Sequence, residues 1–211
     1  MSVTNLRRSG SLDSEWLESI EEDGYNGVEI DDVNRDFAPI IDAHPYPNQV
    51  IITGNINYRE ESDYTQGRDI SVEFELRTGS RLLIFEYESD IPSLSPVTEQ
   101  FLEITDNSPK IYHNLHAPED SLWDFLLASD RVVDITVLDG GREASYREVE
   151  DIPTQDVIGE YSIESASVGF QYEEESILVT YQNGNLQIES DHERAREYIV
   201  ELFEREVLGP N

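Results

Sequence analysis

The chain has 211 residues, of which 46 are acidic and 14 basic, and its formal net charge at pH 7 is −32. It contains no cysteine, which excludes disulfide bonds and thiolate metal sites. No apolar run approaches the ~18 residues that a membrane-spanning helix needs, and residues 1–12 lack the apolar segment of a secretory signal. We therefore expect a cytoplasmic protein with no membrane partner, and the lack of a basic stripe predicts no nucleic-acid partner.

The first sixty residues are predicted to contain one short helix and one strand. Residues 1–12 are polar and are interpreted as a flexible tail. Residues 13–24 carry capping residues and an apolar face, which predicts a short helix. Residues 25–36 are acidic and are expected to be irregular. A strand is predicted at residues 50–58, with Gly54 as a candidate β-bulge.

The strongest strand signal lies in residues 68–90. Apolar and polar side chains alternate from Ile70 to Leu76, which is typical of a strand with one solvent-exposed face. A short connector containing Gly79 leads to a second strand at residues 82–87, whose apolar side chains fall on both faces. The pattern predicts a β-hairpin at the centre of an antiparallel sheet, with its second strand covered on both sides.

Two helices and a second hairpin are predicted in the middle of the chain. Ser95 and Pro96 begin one helix, and Pro118 begins another that carries the apolar residues Leu122 and Trp123. Residues 131–138 have strand periodicity. The turn Asp139-Gly140-Gly141 then predicts that the next residues pair back as a hairpin.

The last third of the chain predicts a strand–turn–strand–helix unit. Residues 177–181 and 186–188 flank a Gln-Asn-Gly-Asn turn, which is a strong hairpin signal. Ser190 and Glu193 have the spacing of a capping box at the start of a helix. The apolar stripe of this helix consists of Tyr198, Ile199, Leu202, Phe203 and Val207.

These elements predict an α+β fold, built on a largely antiparallel β-sheet with three to four helices, including a C-terminal helix packed on the sheet. Residues 13–208 are expected to form a single domain. A sub-domain boundary is possible near residues 152–155, where a proline interrupts the pattern.

The unusual composition has three competing interpretations. Disorder is disfavoured because alternating apolar runs extend along most of the chain. Mimicry of nucleic acid predicts clustered acids, whereas the acids here are spread evenly, and it does not explain why Lys110 is the only lysine. Adaptation to molar intracellular salt explains both features, since the Debye length falls to about 3 Å at 1 M and surface carboxylates then hold hydrated cations with little mutual repulsion. The composition resembles that of cytosolic proteins of halophilic archaea and their viruses.

Two groups of residues are candidate metal sites. The first is His113, His116 and Glu119, because an His-x-x-His spacing brings two imidazoles to one side of a helical segment and a nearby carboxylate adds oxygen.

The second group is Glu73, Glu75 and Arg77, which alternate along one face of the predicted central strand. Their Glu-x-Glu-x-Arg pattern resembles the Glu-x-Glu-x-Lys signature of tunnel-type triphosphate enzymes. That resemblance implies a β-barrel in which the acids hold a metal-bound polyphosphate.

The sequence favours a non-enzymatic function: an accessory, assembly or scaffold protein of a salt-in halophile, cellular or viral, that acts through protein–protein contacts. Its expected partners are other proteins, with further copies of the chain included. The alternative is a metal-dependent hydrolase acting on a phosphate-containing substrate, with either group of candidate ligands holding the metal. No organic cofactor is predicted, since no phosphate-binding loop or nucleophile motif occurs in the chain.

Overall fold

The computed structural model describes residues 2–10, 28–60, 67–88, 94–104, 110–112, 115, 117–149, 153–182, 185–190 and 192–209. The chain divides into two compact units. We call Ser2–Ala38 with Tyr46–His113 the amino-terminal unit, and Pro39–Pro45 with Asn114–Asn211 the carboxy-terminal unit. The long segments of the two units adjoin in the sequence at residues 113 and 114.

The amino-terminal unit is an antiparallel sheet with one described helix. Its elements are β1 (Ser2–Arg8), β2 (Val28–Asn34), β3 (Ile51–Glu60), β4 (Arg68–Arg77), β5 (Leu82–Glu88) and α1 (Ser95–Ile104). The strands follow the order β2-β3-β4-β5-β1. The predicted central hairpin is confirmed as β4 and β5, whose turn is closed by a 2.9 Å hydrogen bond from Arg81 N to Arg77 O.

The core of this unit lies between one face of the sheet and helix α1. The rings of Phe74 and Phe101 meet edge to face with centroids 5.3 Å apart, and both side chains are buried. Leu82 and Leu83 point to opposite faces of β5 and neither is exposed. The expectation that this strand is covered on both sides is confirmed.

Two strands occupy segments for which the sequence predicted no regular structure. Residues 2–8, within the predicted tail, pair with β5 as β1, and Leu6 is fully buried. Residues 28–34, predicted to be irregular, form β2 on the other side of β3. Both strands are rich in polar residues, so the apolar alternation that reveals a strand is weak there.

Gly54 is not a β-bulge, because it pairs directly with Ile30 and with Phe74. The irregularity lies in β2 instead, between Ile30 and Asp32. A Cβ atom on Gly54 would lie 2.2 Å from the Glu29 carbonyl oxygen and 2.8 Å from the Phe74 ring. Glycine is required here by close approach of neighbouring groups and not by a kink in its own strand.

The carboxy-terminal unit is built on five further antiparallel strands. Its elements are α2 (Glu119–Leu127), β6 (Arg131–Asp139), β7 (Arg142–Ser145), α3 (Thr154–Val157), β8 (Ile163–Tyr172), β9 (Glu175–Gln182), β10 (Asn185–Glu189) and α4 (Glu193–Glu206). The strands follow the order β10-β9-β8-β6-β7. Both predicted hairpins, β6–β7 and β9–β10, are confirmed. At the first turn Gly140 and Gly141 have positive φ angles of 54° and 84°, which explains the glycine pair.

Helix α4 packs on the sheet of its unit, as predicted, and its stripe enters the core. Phe203 is fully buried. The centroid of the Phe125 ring lies 5.3 Å from the ring centroid of Phe203 and 5.3 Å from that of Phe170. The predicted capping box is wrong. His192 is the N-cap, and its imidazole accepts a hydrogen bond from the Ala195 amide.

The fold class is confirmed as α+β, with a mostly antiparallel sheet and a C-terminal helix. Among the described residues no helix is long and apolar enough to cross a membrane.

Candidate interaction surface

The two faces of the β8–β9–β10 sheet differ in what covers them. One face carries Ala166, Val168 and Phe170, which are buried in the core of the carboxy-terminal unit. The side chains that alternate with them, from Ser165 to Gln171 on β8 and from Ser176 to Gln182 on β9, point away from this core, and none is buried. Within the part of the chain that the structure describes, this second face is therefore a candidate for contact.

Ten described positions on this outward face carry no charge, and we call them the uncharged face. They are Ser165, Ser167, Gly169 and Gln171 on β8, Ser176, Leu178, Thr180 and Gln182 on β9, and Asn185 and Gln187 on β10. The strand register sets them in rows, because residues directly opposite each other in a sheet point to the same side. Ser167, Thr180 and Gln187 form the middle row.

Charged residues lie at the margins of the uncharged face. Arg131 of β6 is opposite Gly169, and Asp134 of the same strand is opposite Ser167. On the other margin, Glu189 of β10 is opposite Leu178. One row thus reads Arg131, Gly169, Leu178, Glu189 across four strands.

Near the centre of the uncharged face, an exposed leucine lies next to a glycine. Leu178 is 38% exposed, which is high for a leucine. Its neighbour Gly169 has no side chain, and a Cβ atom there would make only an ordinary 3.7 Å contact with the Cβ of Arg131. The fold does not demand glycine at this position, because a side chain there would meet only ordinary contacts.

The outward face of the amino-terminal unit is very different. Its central row reads Glu29, Asn55, Glu73, Glu86, and the Asn55 amide donates a 2.6 Å hydrogen bond to Asp31. The central row of the amino-terminal unit therefore carries carboxylates, whereas the ten positions of the uncharged face carry none.

The predicted group of Glu73, Glu75 and Arg77 is present on one strand, but its members have different surroundings. Glu73 is exposed, whereas Arg77 is fully buried and its Nε donates to the Glu75 carboxylate. The guanidinium carbon of Arg77 also lies 5.7 Å from the centre of the Phe37 ring. These contacts give Arg77 a packing role, since a buried guanidinium needs such partners. The described strands of this unit follow an open order with β2 at one end.

Of the predicted histidine group, His113 and His116 lie outside the described residues. Glu119 is described, and its carboxylate accepts hydrogen bonds from the Ile163 amide at 2.9 Å and the Ser162 hydroxyl at 3.1 Å. It joins the start of α2 to the start of β8. Burial raises the pKa of Tyr181, and the nearby carboxylates of Glu119 and Glu164 raise it further.

No group of three or more histidine, aspartate or glutamate side chains is arranged to hold a metal ion in the part of the chain that the structure describes.

Sequence reasoning missed two buried carboxylates on α4. Glu201 is fully buried and accepts backbone hydrogen bonds from Ile40 and Ile41 at 2.8 to 3.0 Å. Glu204 is also fully buried, and its Oε2 lies 2.8 Å from Nε2 of His44. Both acids fix the segment Pro39–Pro45 to the helix, and their lack of exposure excludes them as a surface site.

Neither the models of known protein families nor the curated proteins contain a match to this chain. The case for a function therefore depends on the uncharged face and on the charge that surrounds it.

Proposed function

We propose that this protein is a non-enzymatic accessory, assembly or scaffold protein that acts through protein–protein contacts in molar salt. The observation that carries the proposal is the uncharged face, ten outward positions without a carboxylate in a chain whose net charge is −32. Interface cores are depleted in charged residues, because each charge must lose its hydration when the partner docks.

The rest of the surface supports the same proposal. Exposed acids such as Glu73 keep a protein soluble in concentrated salt by holding water and cations, and they also keep other acidic proteins apart. A neutral face removes that repulsion at one place. Hydroxyl and amide groups, such as those of Thr180 and Gln187, then supply hydrogen bonds to a partner without the cost of burying a charge.

The proposal is tested by adding one charge to the face. Thr180→Glu places a carboxylate in its middle row, and Ser71→Glu is the matched control, since Ser71 is an exposed outward strand position in the other unit. Size-exclusion chromatography of extracts from the protein's own cells, at native salt, measures assembly. We expect wild type and Ser71→Glu to elute well above the 24.2 kDa of one chain. Thr180→Glu should shift towards that mass, and identical elution of all three would refute the proposal.

A further inference from the structure

We infer that the partner of the uncharged face is the same face of a second copy of this chain. This inference rests on the proposed function and deepens it by naming the occupant. The inference follows from the strand register. When one copy is rotated by 180° and placed on the other, the residues of the two uncharged faces match each other in shape and charge. The rotation axis lies in the plane of contact and runs along the strands, between β8 and β9.

The row that contains Leu178 shows this complementarity in shape. Its order across the sheet is Arg131, Gly169, Leu178, Glu189. The rotation reverses the order of the row, so Leu178 of each copy faces Gly169 of the other. The contact occurs twice, because each copy contributes one Leu178 and one Gly169. It buries the exposed surface of both leucines.

The same reversal matches the charges at the margins. Arg131 of each copy faces Glu189 of the other, which forms two symmetry-related ion pairs. In the next row Asp134 faces Gln187, whose amide donates to a carboxylate, and Ser167 faces Thr180. No like charges oppose each other in these two rows.

The size and charge of the face predict how strong the dimer is. Four strands about 4.8 Å apart, with at most four outward positions along each, give a patch of roughly 20 Å on each side. That is about 400 Å² per copy, below the roughly 600 Å² per partner of the smallest stable interfaces, so association should be weak and concentration-dependent. Two copies that each carry −32 also repel, and molar salt is needed to screen that term.

A charge exchange tests this arrangement. Purified wild type, Arg131→Glu, Glu189→Arg and the double variant with both changes are compared by sedimentation equilibrium in molar KCl. Arg131→Glu sets two pairs of like charges against each other, and Glu189→Arg does the same with the opposite sign, so each should weaken dimerisation about tenfold or more. The double variant exchanges the two signs and should recover most of the affinity.

Circular dichroism in the same buffer checks that all four proteins keep the fold. Both positions lie on strands in outward positions, and Arg131 is exposed, so we expect no loss of structure. Equal dimerisation of wild type and both single variants would overturn the inference, and so would a wild type that stays monomeric at millimolar concentration. Purified wild type could stay monomeric while Thr180→Glu still loses its assembly in cell extract. In that case the inference would fail but the proposed function would hold, and the face would bind a protein other than a second copy of this chain.

Discussion

The imidazole of His44 lies 2.8 Å from the carboxylate of Glu204, and their side chains are only 1% and 0% exposed. The two residues are 160 positions apart in the chain. One helical turn away, Glu201 accepts the amides of Ile40 and Ile41. These polar contacts hold a loop segment on the helix that carries the core residue Phe203, so part of the carboxy-terminal core depends on residues near the start of the sequence.

Removal of the Glu204 carboxylate should be costly. Glu204→Ala leaves His44 buried without this acceptor, and a buried polar group that loses a hydrogen-bond partner costs about 1–3 kcal/mol. Glu206→Ala is the control, because Glu206 is exposed on the same helix and its loss should cost less than about 1 kcal/mol. Denaturant unfolding in molar KCl measures both free energies. Equal values for the two variants would show that the buried contact contributes little.

The aromatic core of the carboxy-terminal unit should be sensitive to truncation. Phe203→Ala removes a ring that is fully buried and 5.3 Å from Phe125, and the expected loss is about 3–5 kcal/mol. Leu178→Ala deletes an exposed side chain on the uncharged face and should change the unfolding free energy of the monomer by less than about 1 kcal/mol. Thermal unfolding at low protein concentration compares them. A loss near zero for Phe203→Ala would show that α4 does not depend on this contact.

Two glycines in strands should respond in opposite ways to the same change. Gly54→Ala forces a methyl group to within 2.2 Å of the Glu29 carbonyl oxygen and should destabilise the protein by about 1–3 kcal/mol or more. Gly169→Ala meets only ordinary contacts, the closest at 3.7 Å, and should be neutral or slightly stabilising. Differential scanning fluorimetry of both variants in the same buffer provides the comparison. Similar melting temperatures would contradict the role of close packing at Gly54.

Stability should increase with salt. At ~0.01 M the Debye length is about 30 Å, so carboxylates repel one another across the whole molecule, whereas at 1 M it is about 3 Å. Each pair contributes at most about 1 kcal/mol in water, but the sum over 46 acids is comparable with the ~5–15 kcal/mol that stabilises a domain. We expect the melting temperature to rise steadily from tens of millimolar to molar KCl. An unchanged melting temperature would remove the case for salt adaptation.

Local patterns predicted the hairpins and the C-terminal helix, because a turn and its flanking alternation lie within a few residues of each other. The strand β8 was not recognised, although Ala166, Val168 and Phe170 alternate with small polar residues. The residues between these apolar positions are mainly serine and glycine, which are common in loops. The two-residue period of the strand was therefore not recognised.

The candidate surface depends on information that a single strand does not contain. Ser167, Thr180 and Gln187 are far apart along the chain and become neighbours only through the register of β8, β9 and β10. Likewise, the backbone partners of Glu201 are set by the path of residues 39–45 and by no motif in the helix. Sequence reasoning therefore pointed to charged and histidine motifs, and overlooked a face whose distinctive property is its lack of charge.

Chemical accessibility of the uncharged face tests the account most directly. Because the chain has no cysteine, Thr180→Cys and Ser71→Cys each introduce a single thiol, one in the middle row of the face and one on the outward face of the other unit. The rate of maleimide modification is measured in molar KCl for dilute purified protein, for concentrated protein and for the assembly in cell extract. We predict that modification at position 180 slows severalfold in the concentrated and assembled samples, while the rate at position 71 stays constant. Equal rates at position 180 in all three samples would contradict the claim that this face is the contact surface.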